Sequence, residues 1–146
     1  NANAQVKRGY MYLKGKGVEQ DDKEAFKWYQ LSAKQGDADS QSILGNMYAN
    51  GKGVVGNYRV ALKWRTLAAK QGNASAQFYL GNMYQFGKGV PQHYLRAYMW
   101  SSLSIYNGSK RGHIVREAIA KILASAQVVE AQKMSTSCLE SGYTDC

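Results

Sequence analysis

Carboxylates are missing where a binding or catalytic surface would need them. From Gln41 to Arg116 the chain has no Asp or Glu, while ten Lys and Arg fall in that span. Six of the ten acids lie before residue 40: Glu19, Asp21, Asp22, Glu24, Asp37 and Asp39. An acid-free middle offers no paired carboxylates for general acid–base work. There are two histidines, His93 and His113, 20 residues apart with no Cys or acid at ligand spacing, so neither a metal centre nor a bound cofactor is expected. The Ser-x-x-Lys pair of class A β-lactamases does not occur. No apolar run approaches the 18–20 residues that a membrane-spanning helix needs. The lone proline, Pro91, falls in a loop, where a fixed φ is harmless. These absences argue against an enzyme and against a membrane span.

What is present is enough for a core. Hydrophobic residues make up 45% of the chain and aromatics 12%, which excludes disorder as the default. The formal charge of +9 is concentrated in the middle and favours an acidic protein surface, an anionic polymer or a membrane surface as neighbour. A plain coat of Lys and Arg on a soluble surface accounts for the same composition. No signal peptide is visible. Residue 1 falls near a repeat boundary, which leaves room for a leader or earlier units upstream.

Gly-Lys-Gly-Val occurs at Gly15–Val18, Gly51–Val54 and Gly87–Val90, 36 residues apart each time. A fixed period of this size marks a repeat architecture. In the same register recur Ala2/Ala38/Ala74, Gln5/Gln41/Gln77, Gly9/Gly45/Gly81, Met11/Met47/Met83 and Tyr12/Tyr48/Tyr84. Then come Ala25/Ala61/Ala97, Trp28/Trp64/Trp100, Leu31/Leu67/Leu103 and Gly36/Gly72/Gly108. The units are therefore drawn as 1–36, 37–72 and 73–108, with 109–146 as a cap.

Each unit reads as two helices, in the middle copy roughly Ala38–Asn50 and Tyr58–Gln71. Ala38, Gln41, Leu44, Gly45 and Tyr48 share one face by their three- and four-residue spacing. Glycine costs about 0.5–1 kcal/mol inside a helix, so Gly45 implies a closely packed neighbour. Val54 is expected to plug into the core, and the recurring Trp and Tyr residues to be core. Asp21 or Asp22 caps the second helix of the first unit, with Glu24 in its first turn suiting the helix dipole.

Gly-Lys-Gly resembles a phosphate loop, but a Walker motif needs Gly four residues before its Gly-Lys and Ser or Thr after it. Its threefold recurrence points to turn chemistry instead.

Beyond Gly108 the pattern changes. Ile114, Val115, Ala118, Ile119, Ile122 and Leu123 predict an amphipathic helix, with Glu117 and Lys121 paired on its outer side. A last helix over 126–140, capped by Ser125, presents Val128, Ala131, Met134 and Cys138 on one stripe. A stack of repeats needs an atypical end unit to cover its last apolar face. Cys138 and Cys146 stand eight apart with Gly142 between them. A short disulfide loop pinning the tail fits this turn and implies a periplasmic or secreted location. Two unpaired thiols, one in the core and one at a frayed end, are the alternative and suit the cytoplasm.

The sequence A-D-S-Q-S-I-L-G-N-M-Y-A-N-G-K-G-V from Ala38, with A-L-K-W-R-T-L-A-A-K-Q-G from Ala61, resembles the Sel-1-like repeat family, relatives of the tetratricopeptide repeats. The resemblance covers residues 1–108. Arg8 stands in place of the leucine before Gly9, and Ile105 and Asn107 depart from the A-x-Q-G ending. The resemblance implies an all-α, right-handed α/α solenoid with a helical cap, its first helices lining a concave surface. It also implies a bacterial adaptor, often exported, that binds proteins; it does not identify the partner.

Recognition on such a scaffold is encoded by residues that vary between copies. Those beside the packing stripe are Ile43, Asn46, Asn50, Tyr79, Asn82 and Phe86, with Lys7, Tyr10 and Lys14 at the start of the groove. The leading expectation is a protein or peptide partner in that groove. The alternative is an anionic polymer, polysaccharide or nucleic acid, held by the span 41–116. Nucleic acid is the weaker form, because the charges are scattered over both helices of each unit.

Overall fold

The computed structural model describes all 146 residues. It is entirely helical: α1 Ala2–Lys14, α2 Asp22–Lys34, α3 Ala38–Asn50, α4 Tyr58–Ala69, α5 Ala74–Phe86, α6 Tyr94–Tyr106, α7 Gly112–Ala120 and α8 Ser125–Glu140. Within each unit the two helices pack on each other, and the second packs on the first helix of the next unit. α3 also meets α5, and α5 meets α7, whereas α2, α4 and α6 have no comparable contact with one another; α8, in the cap, packs on α6. α3, α5 and α7 therefore lie on the inside of the curve, and α1 joins them through the hollow it shares with α3 and the start of α5.

Caps repeat with the period. Asp21, Asn57 and His93 begin the second helices, and each side chain accepts hydrogen bonds from backbone N–H groups of the first turn. Asn1, Asp37 and Asn73 do the same for the first helices. His93 is thus an exposed cap whose Nδ1 accepts from the Arg96 N–H at 3.2 Å. α4 stops at Ala69, and Lys70, Gln71 and Gly72 close the turn after it.

Gly-Lys-Gly-Val has two jobs. The first glycine ends the first helix in the left-handed region, with φ of 65°, 63° and 68° in the three copies. The second, also at positive φ, abuts the preceding unit. A Cβ on Gly53 would collide with the carbonyl oxygen of Asp22, and one on Gly89 would lie 2.6 Å from that of Tyr58. Asp22 and Tyr58 are equivalent residues one period apart, so this glycine sets the spacing between units. Val54 behind it is half-buried.

The invariant glutamine ties units together at a second point. Gln41 Nε2 donates to the Ala33 carbonyl of the preceding unit at 3.1 Å, and its Oε1 accepts from Gln71 Nε2 at 2.8 Å. Gln77 repeats this with Ala69 at 3.0 Å and Asn107 at 2.9 Å. Asn107 departs from the repeat pattern yet keeps the bond. Leaving such a buried group unpaired costs about 1–3 kcal/mol.

The recurring aromatics are less buried than the sequence predicts. Trp100 is buried, but Trp28, Trp64, Tyr12, Tyr48 and Tyr84 are only half-buried. Leu31 and Leu67 are about half exposed, at 47% and 50%, while Leu103 in the same register is fully buried. The difference is α8. It lies along α6, and Cys138 joins Leu103, Met99 and Trp100 in one apolar cluster. Burying a leucine in this way is worth about 1.5–3 kcal/mol.

The cap departs from the expected details. α7 takes the next first-helix slot, beginning at Gly112, which packs against Ser104 so closely that a Cβ would clash with its hydroxyl. Val115 and Ile119 are buried, but Ile114 and Ile122 are 67% and 55% exposed. α7 ends at Ala120, so Glu117 and Lys121 form no ion pair. Ser125 is the first residue of α8 rather than its cap; Gln127 Oε1 instead accepts from the Ala124 N–H at 3.0 Å. Cys138 and Cys146 are joined in a disulfide, with Cα atoms 4.8 Å apart. The loop carries Tyr143, whose hydroxyl accepts from Asn107 Nδ2 at 2.9 Å and whose ring lies beside Gly72.

Candidate functional site

The concave side carries three hollows at the junctions between units. The first, about 500 Å³, is lined by Lys7, Tyr10, Ile43 and Asn46, together with Val6, Tyr29 and Asp39. A second lies along α3 beside Leu13, Ile43, Asn46 and Asn50. The third, about 140 Å³, lies between units two and three and is lined by Asn50, Tyr58, Arg65, Tyr79, Asn82 and Lys88. The structure thus places Lys7, Tyr10, Ile43, Asn46, Asn50, Tyr79 and Asn82 on these hollows. Lys14 is exposed in the last turn of α1 and lines none of them. Phe86 is 58% exposed at the end of α5, with the Lys88 ammonium 6.0 Å from its ring centroid.

Two lining residues escape a reading based on first helices alone. Tyr29 and Arg65 come from second helices, at the position just after the invariant tryptophan, where the third unit has Ser101. Their route inward is the glycine opposite. A Cβ on Gly9 would sit 2.9 Å from the Tyr29 ring, on Gly45 2.7 Å from Arg65 Cγ, and on Gly81 2.8 Å from Ser101 Oγ. The glycine clears a slot through which the variable side chain crosses between the paired helices. The sequence signal was present: a position varying as Tyr, Arg and Ser beside an invariant Trp.

Arg65 is the most constrained of these groups. It is 95% buried by its relative exposure of 5%, and no carboxylate faces it. Its Nη2 donates to Asn46 Oδ1 at 2.9 Å, and its guanidinium lies 4.6 Å from the centre of the Tyr79 ring. Nε has no hydrogen-bond partner. Burial lowers its pKa from the ordinary arginine value, while Tyr79 and Tyr58 act in the opposite direction. A second guanidinium, Arg111 from the turn before α7, lies 5.1 Å from the Tyr79 ring centroid and donates to its hydroxyl at 3.3 Å. Tyr79 therefore holds two arginines, and a cation over an aromatic face is worth about 0.5–2 kcal/mol. In the first hollow, burial raises the Tyr29 pKa to about 12, with a smaller contribution from Tyr10.

The only ion pair in the chain is Lys27–Glu24, 2.8 Å, on the exposed side of α2. Every cation from Lys52 to Arg116 consequently lacks an acidic partner. No cluster of His, Cys, Asp and Glu stands ready for a metal, and no helix is long and apolar enough to cross a membrane.

This stack of helix pairs, with fixed packing residues and variable inner ones, defines an α-solenoid repeat protein. The Sel1 repeat family matches residues 2–37, 38–73 and 74–109, and the chain belongs to that family. Sel1 repeats generally mediate protein–protein interaction on a non-catalytic scaffold. Among solved structures, it is similar to a Sel1 repeat protein from Oxalobacter formigenes, with 35% identity and a TM-score of 0.76. That match covers 80% of this chain and 48% of the other. It is also similar to c5321, a protective antigen present in uropathogenic Escherichia coli strains that displays the same repeat fold. Identity there is 27%, the TM-score is 0.68, and the match covers 98% of this chain and 39% of the other. The chain thus spans about half the length of the first and about two-fifths of the second. A comparison with curated proteins finds no match.

Proposed function

We propose that this chain is an adaptor module whose concave face holds an extended segment of a partner protein. The segment crosses the hollows from Lys7 and Tyr10, past Ile43, Asn46 and Asn50, to Tyr79 and Asn82, with Lys14 and Phe86 exposed beside its ends. The observation that carries this reading is that residues varying between copies gather on the inner hollows, while those that repeat hold the helices together. The disulfide between Cys138 and Cys146 supports an oxidising location, periplasmic or secreted.

A photo-reactive benzoylphenylalanine placed at Tyr10 or Phe86 on the inner side, and at Leu31 on the outer side, tests this. In the native envelope fraction the inner probes are expected to trap a protein that the outer probe does not. Equal trapping from Leu31 would remove the groove from the account. An anionic polymer, the other reading of the acid-free span, draws no support from the family match. Its binding would fall steeply with salt through release of counterions, and a complex little affected by moderate salt is expected instead.

A further inference from the structure

Arg65 is a buried cation whose environment lacks a counter-charge. An isolated buried charge is costly unless it is paired and hydrogen-bonded. Asn46 takes one N–H and Tyr79 covers a face of the guanidinium, yet Nε still has no partner. No carboxylate of the chain pairs with Arg65, and the span 41–116 around it holds none, so the site is left open to an outside counter-charge.

Resting on the groove reading above, we propose that the hollow between units two and three is a carboxylate subsite. It takes one Asp or Glu side chain of the partner's extended segment, held by Arg65 and Lys88. Arg65 lines the hollow with Nε unpaired beneath its surface, and an entering carboxylate pairs with guanidinium N–H groups that Asn46 leaves free. Lys88, on the rim, has no acidic partner and lies 5.7 Å from the Tyr58 ring centroid, within reach of the same hollow. Asn50 and Asn82 add amide donors.

Size and charge select the occupant. At about 140 Å³ the hollow is well below the 300 Å³ or more of typical small-molecule pockets. It accommodates a carboxylate on a short stem rather than a nucleotide. The larger hollow between units one and two carries Asp39, which accepts from Asn73 Nδ2 at 2.8 Å. Lys7 lines that hollow as well and offsets Asp39, whereas the hollow at Arg65 has two cations and no acid, so an acid on the partner is drawn to the latter.

The test uses a random dodecapeptide phage library selected against the full chain. Selected peptides are expected to share one acidic position, and changing that acid to its amide is expected to weaken binding roughly tenfold to a hundredfold. In Arg65→Met the same change is expected to cost no more than about threefold, the signature of direct coupling. Lys88→Ala gives a second cycle at an exposed position, so a folding defect in Arg65→Met leaves the test intact. Selected peptides with no acidic position, or an amide effect equal in wild type and both variants, would overturn the carboxylate subsite and leave the groove standing. Displacement by inorganic phosphate with no amide effect would assign the hollow to phosphate and overturn it as well. Failure to select any peptide would overturn the groove reading itself, and the subsite with it.

Discussion

Gly53 and Gly17 form a matched pair that separates two costs in one experiment. Both are the second glycine of Gly-Lys-Gly-Val, and both have φ of 74°. Their surroundings differ. A Cβ on Gly53 would collide with the Asp22 carbonyl, a backbone atom of the preceding unit. A Cβ on Gly17 would meet nothing nearer than Met11 Cε at 3.7 Å. Gly17→Ala therefore carries only the left-handed backbone strain, about 1–2 kcal/mol. Gly53→Ala carries the same strain plus the displacement of one unit from the next, a further 1–3 kcal/mol or so on the scale of overpacked cores. For a chain of this size each kcal/mol corresponds to a Tm shift of about 2–4 °C.

Urea unfolding followed by far-ultraviolet circular dichroism reads both substitutions. Gly53→Ala is expected to be the less stable by at least about 1 kcal/mol. Its m-value is expected to fall too, because a unit detached from its neighbour unfolds separately and less surface is exposed in the main transition. Gly17→Ala is expected to keep the wild-type m-value. Equal losses in the two variants would show that this glycine is a turn residue and nothing more, and the inter-unit role argued for it would be wrong.

Tyr29 predicts an alkaline transition. Its folded pKa of about 12 lies above the ordinary value of 10.0, so the native state binds the proton more tightly than the unfolded chain. Stability from this source is complete below pH 10 and is lost as pH rises from 10 to 12, by at most about 2.7 kcal/mol. Tyr29→Phe is expected to flatten that part of the pH–stability curve, and an undiminished alkaline loss in the variant would refute the assignment. The disulfide predicts that intact mass rises by two hydrogens on reduction. Cys146→Ser is expected to lower stability by about 2–3 kcal/mol through the freed short loop; unchanged mass and stability would count against the pinned tail.

The solenoid was legible because its determinants are local and recur. Helix faces and glycine stops follow from spacing and side-chain chemistry within one unit, which also narrows the α2 cap to Asp21 or Asp22, of which Asp21 is the cap. Burial was harder to read, because it depends on what lies across the convex face. Leu31, Leu67 and Leu103 are the same residue in the same register, and only the path of α8 distinguishes them. The same path leaves Ile114 and Ile122 exposed despite their periodicity, since α8 lies along α6 instead of closing over the outer side of α7. Variation among first-helix residues pointed to the inner face. It could not reveal Arg65, whose access depends on the depth of one helix–helix contact.

That contact joins the repeating and non-repeating parts of the chain. An invariant glycine inside a helix costs stability, and close packing alone would compensate for it with any small neighbour. Here the neighbour is not constant: Gly9 faces Tyr29, Gly45 faces Arg65 and Gly81 faces Ser101. With an alanine at the glycine position, each of the three side chains would be forced from its slot, and at Gly81 the backbone of Ala97 and Ser101 is crowded as well. The fixed glycine therefore makes the position opposite free to vary in size and charge without changing the spacing of the helices. Tyr at that position lines the first hollow and Arg lines the hollow between units two and three, while Ser101 is buried and lines none. On the groove reading proposed above, specificity in this array would rest on Tyr29 and Arg65, which reach the concave face beside first-helix glycines, as well as on the first helices themselves.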